Sequence, residues 1–114
     1  MAGAYHRLTP QQTLVANQTQ PASEVYDAGA FNHLQLQGRV LKAGTAGKLK
    51  LQHAAVNEPD AFIDVSGAEW DLDQAGPSGN VFITVDDFLR YLRWITDANV
   101  LGSPIALLDL IAKE

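Results

Sequence analysis

A chain of 114 residues with 46% hydrophobic and 18% charged side chains is long enough to bury roughly 60–70% of the surface its unfolded form exposes. It is too apolar for a disordered segment, and no apolar run approaches the ~18 residues of a membrane span. The absence of cysteine excludes disulfides, thiolate metal sites and a cysteine nucleophile, and a net charge of −5 argues against phosphate-backbone binding, so neither nucleic acid nor membrane is an expected partner.

The amino-terminal MAGAYHRLTPQQ lacks the basic start and long apolar core of a secretory signal, so synthesis in the cytoplasm is the expectation. Residues 1–30 are rich in Gln, Ala, Thr, Ser and Asn, with short apolar pieces such as Thr13-Leu14-Val15-Ala16 and no helical stripe. They predict an extended N-terminal arm over residues 1–24, containing one short strand and held against a neighbouring subunit. A single domain then spans 25–114.

In FNHLQLQGRVL (31–41), Leu34, Leu36 and Val40 alternate with Gln35, Gln37 and Arg39, the period-2 pattern of a strand with one wet face. Gly38 lies on the inward side and marks either a bulge or the close approach of another backbone. KLKLQHAAV (48–56) alternates in the same way, and the intervening AGTAG supplies two glycines for a tight loop, so the two runs predict a β-hairpin. AFIDV (61–65) and VFITV (81–85) are two further short strands, bracketed by NEPD, SGAE and QAGPSGN as turns.

The segment from Asp86 to Lys113 has two local solutions. As a helix, Thr84 would cap Asp87 while Phe88, Tyr91, Leu92 and Ile95 share a side, and Ser103-Pro104 would start a second helix. As strands, FLRYLRWI and IALLDLIA are apolar on both faces, as expected of strands covered on both sides, with residues 96–99 and 102–104 forming a hairpin loop.

The order YDAGAFNHLQLQGRVLKAG, a Leu-alternating strand, RYLRW, a Gly-containing loop and a final strand resembles the jelly-roll layout of discoidin-like and carbohydrate-binding modules. It is similar too to small accessory proteins of tailed-phage particles. The resemblance covers roughly residues 25–114 and rests on short motifs; the chain is shorter than most discoidin-like domains and has no cysteine pair joining its ends. In those families the segment matching Arg90-Tyr91-Leu92-Arg93 is a core strand that pairs with the last strand. The resemblance therefore implies strands through 86–113 and a mainly β fold: one antiparallel, jelly-roll-like β-sandwich with an N-terminal arm.

No catalytic constellation is visible. His6, His33 and His53 are scattered without metal-ligand spacing, and His53, on the side of Leu49 and Leu51, reads as a satisfied half-buried histidine. The serines lack a nucleophile-elbow context. The acidic stretch Glu58–Asp73 reads as a solvated loop, with Ca²⁺ ligation as the alternative, and it lacks EF-hand spacing. Asp86 and Asp87 read as turn residues or partners of Arg90 and Arg93.

Aromatic residues supply the candidate contacts: Trp70, either plugging one end of the sandwich or forming a sugar platform with Asp71 or Asp73, and Trp94, Tyr5 and His6 toward a neighbour. The expectation is a structural protein rather than an enzyme, with no cofactor and no metal. It would be a virion accessory subunit, for capsid decoration or tail/head joining, contacting other subunits of a particle and forming homo-oligomers. A carbohydrate-binding module is the alternative.

Overall fold

A computed structural model describes residues 4–114, apart from the side chains of Pro10 and Gln11. Its strands are β1 (Ala4–Thr13), β2 (Tyr26–Asp27), β3 (His33–Lys42), β4 (Lys48–Ala54), β5 (Ile63–Asp71), β6 (Asn80–Val85), β7 (Tyr91–Thr96) and β8 (Ile105–Lys113). They form two four-stranded antiparallel sheets, ordered β1-β8-β3-β6 and β2-β7-β4-β5. The described residues contain short 3-10 turns and no α-helix, so the segment with two local solutions is extended. Its first strand begins at Tyr91, after a loop through Asp86–Arg90.

Alternation dictates which residues face inward. Leu34, Leu36 and Val40 of β3 lie opposite Ala112, Leu110 and Ala106 of β8, and all six are buried. Leu49 and Leu51 of β4 lie opposite Thr96 and Trp94 of β7. These inner faces meet in one core with Leu8, Leu14, Trp70, Leu72 and Leu92, as expected when each sheet buries one face against the other.

Both predicted hairpins are corrected. β3 and β4 lie in different sheets, as do β7 and β8, so AGTAG and the 97–104 segment carry the chain across the sandwich. The two crossovers are fastened together: Thr45 N–H donates to Leu101 O (2.8 Å) and Leu101 N–H to Ala46 O (3.1 Å). Gly47 has φ +107°, and a Cβ there would stand 2.4 Å from Val100 Cα, so this corner requires glycine. Glycines that suit a hairpin suit a crossover equally, which is why local chemistry does not tell the two apart.

The predicted arm is corrected as well. Residues 4–13 form the edge strand of the first sheet, paired with β8 from Ala4↔Ala112 to Thr13↔Ile105, and Leu8 and Leu14 are core residues. Gln20 then pins the following segment. Its buried amide donates to Leu8 O (3.2 Å) and Glu24 O (2.7 Å) and accepts from Trp94 N–H (3.2 Å), touching strands of both sheets. The Cα radius of gyration, 13.3 Å, equals that of a compact domain of this length.

SGAE, predicted as a turn, lies within β5. From Lys50↔Glu69 to Gln52↔Asp64 the register takes two steps along β4 and five along β5. The excess forms a bulge at Gly67 (φ +77°).

Candidate interaction surface

The two outer faces of the sandwich differ in chemistry. On the second sheet, charged and polar side chains satisfy one another across strands. Lys48 pairs with Glu69 (2.8 Å) and Asp71 (3.6 Å), and Lys50 with Asp64 (3.7 Å). Arg93 donates to Gln52 Oε1 (2.9 Å) and lies over the Phe62 ring at 4.1 Å, while Gln52 donates to Asp64 (2.9 Å). The acidic stretch predicted as a loop is therefore largely strand β5, and its Asp64, Glu69 and Asp71 are engaged by lysines. Among the described residues no group of three or more His, Asp or Glu could hold a metal ion.

The outer face of the first sheet is organised around Asp109. This carboxylate occupies the middle of β8 and is flanked by Arg7 of β1 and Gln37 of β3, with Arg39 two residues along β3. It accepts from Tyr5 Oη (2.7 Å), Arg7 Nε (2.9 Å) and Arg39 Nη2 (2.8 Å). Burial alone would raise its pKa, but the hydrogen bonds from Arg7, Tyr5 and Arg39 more than offset that and hold it below the usual carboxylate value. Around this node lie apolar groups open to solvent: Tyr5 is 62% exposed, Phe82 63% and Ile111 39%. A shallow depression of about 390 Å³ is lined by Tyr5, Gln35, Gln37, Phe82, Asp109 and Ile111. The shared carboxylate holds Tyr5, Arg7 and Arg39 in place, and Tyr, Phe and Arg are residue types enriched at protein contact sites.

No protein-family model and no curated protein matches the sequence. The fold is similar to that of a solved structure. The crystal structure of SPBc2 prophage-derived protein YomS is similar with a TM-score of 0.59, over 97% of this chain and 93% of that chain, at 9% identity. At that identity the likeness is one of fold.

Of the predicted contact residues, only Tyr5 lies on the open face. His6 is half-buried and stacks on Tyr26, with ring centroids 4.6 Å apart, and burial lowers its pKa. Trp70 and Trp94, both 2% exposed, are corrected from contact residues to core. Trp70 lies over Gly38 and donates its Nε1–H to Val81 O (3.1 Å), so it presents no face to a sugar. Trp94 lies opposite Leu51 in the interior.

His53 is a held histidine, its Nδ1 accepting from Leu89 N–H (3.1 Å). Asp86 pairs with His33, and Arg90 with Asp27 at 2.8 Å, rather than with each other. Phe82, Ile111 and Asp109 were not singled out from sequence, although the alternation of VFITV and DLIA places Phe82 and Ile111 on one face each. Naming that face as the outer one needs the sheet.

Proposed function

We propose that this chain is a non-enzymatic structural subunit of a phage-like particle, serving in capsid decoration or tail/head joining and acting through the outer face of its first sheet. The observation that carries the reading is the asymmetry between the two outer faces. One is laced with internal ion pairs, while the other leaves Tyr5, Phe82 and Ile111 open around the Arg7–Asp109–Arg39 node. A rigid sandwich with one such face acts by surface complementarity.

Two further points support it. The strand order β1-β8-β3-β6 over β2-β7-β4-β5 supports reading the sandwich as a jelly roll, an architecture used in viral capsids. The fold likeness to a prophage-derived protein points to the same setting, with assembly into a virion in the host cytoplasm.

The test is fractionation of particles from cells carrying the gene. The wild-type chain is expected to co-sediment with particles, and Tyr5→Ser/Ile111→Ser to remain folded but fall to less than about a tenth of wild-type occupancy, since a few aromatic and apolar anchors dominate such contacts. A wild-type chain confined to the particle-free fraction would sink the proposal.

A further inference from the structure

Every open sheet has two edges whose unpaired N–H and C=O groups invite another strand, and three of the four edges here carry a device that discourages it. β1 contains Pro10, which has no N–H, and its register shifts between Arg7 and Thr9 and again before Gln12. β2 is two residues long. β5 is bent by the bulge at Gly67 and lined by Asp64, Glu69 and Asp71.

The fourth edge, β6, carries none. Asn80–Val85 reads NVFITV, six residues without charge or proline, in unbroken register with β3 from Leu34↔Val85 to Arg39↔Asn80. Asn80, Val81, Phe82 and Thr84 are exposed, although Val81 is on the core-facing side.

We propose that the β6 edge is the pairing site for β6 of a second copy of this chain, antiparallel about a two-fold axis at Phe82. A neutral strand meets its own copy without repulsion, and charge selects the direction. The strand is itself neutral but runs directly into Asp86-Asp87. Parallel, in-register pairing would bring these acids to within about 4.8 Å of their copies, whereas antiparallel pairing about Phe82 separates Asp86 from its copy by about 27 Å.

Parity selects the register. Directly opposed residues share a face, so Phe82, on the outer side, must meet an outer residue. Centring the axis on Phe82 covers its 63% exposed ring with its own mate and sets Asn80 opposite Thr84 of the second copy. The first sheets of the two copies then become one sheet of eight strands, and the outer face of the first sheet of one copy continues into that of the other. The pairing argument is independent of what that face binds.

The test exploits the Asn80–Thr84 pairing. The two positions are far apart within one strand and adjacent only between copies. Wild-type protein should form a dimer in sedimentation equilibrium. Asn80→Glu/Thr84→Glu opposes like charges twice across the axis and should raise the dimer dissociation constant by about tenfold, while Asn80→Glu/Thr84→Lys should recover it, since like charges directly opposite across strands repel and opposite charges attract. Circular dichroism confirms that both variants fold. A wild-type chain that stays monomeric at millimolar concentration overturns the proposal, as does a dimer indifferent to these substitutions. Particle incorporation by a dimer-deficient variant would separate the loss of this contact from failure of the proposed function.

Discussion

Gly38 lies on the inner face of β3 beneath the Trp70 indole, and a Cβ there would stand 2.4 Å from Trp70 Cδ1. The sequence marks it as the site of a bulge or of a close-approaching backbone, but register is regular there and the approaching group is a side chain from the other sheet. Alanine normally suits a strand better than glycine. Here it must displace an indole hydrogen-bonded to Val81 O, so Gly38→Ala is expected to lower unfolding stability by about 1–3 kcal/mol. Urea titration checks this, and an unchanged or raised midpoint would show that the indole has room to move. Trp70 itself was legible as an end plug or a platform, two roles that share the same local sequence. Only the packing of β5 over β3 chooses between them.

Strands were visible wherever alternation was clean, as at Leu34-Leu36 and Leu49-Leu51, because period-2 burial leaves a direct trace in the residue order. Their partners were not. The AGTAG and 97–104 connections have the composition of hairpin loops but cross between sheets, and the supposed arm is an edge strand whose polar residues hide two core leucines, Leu8 within it and Leu14 just after it.

The segment that follows this first strand is pinned to β1 and β7 by Gln20, a buried amide with three partners. Gln20→Leu would leave Trp94 N–H and Leu8 O without their side-chain partner at a cost of about 2–4 kcal/mol. Hydrogen exchange should show β1 and residues 14–24 losing protection first. Uniform loss across both sheets would mean that Gln20 stabilises the sandwich as a whole rather than this segment.

For the whole molecule, pH acts through two sets of groups. Burial lowers the pKa of His6, and it lowers that of His53 despite the opposing charge of Asp87. Between the folded values and the unfolded value near 6.5 the unfolded chain binds more protons. Stability is therefore full above that value and falls as pH drops through the folded ones.

At lower pH the carboxylates follow. Arg90, bonded to Asp27 through two nitrogens, together with Gly29 N–H holds that carboxyl at about 2, and Asp109 is also depressed by its three donors. Their contributions are present above the unfolded value near 3.8 and are lost as pH falls through the folded values. Thermal melts from pH 8 to 2 should therefore decline in two stages. His6→Phe/His53→Leu should remove the first stage and leave the second; a first stage that survives would assign it to other groups.

Residue order by itself determined that the chain has no thiol chemistry and where several of its strands run, because composition and alternation are local quantities. The tertiary structure alone decided which strands neighbour which, that both tryptophans are interior, and that Asp109 gathers Tyr5, Arg7 and Arg39 from two other strands. Such facts depend on residues more than a hundred positions apart, as Tyr5 and Asp109 are. No short-range pattern records contacts that exist only once two sheets have closed on one core.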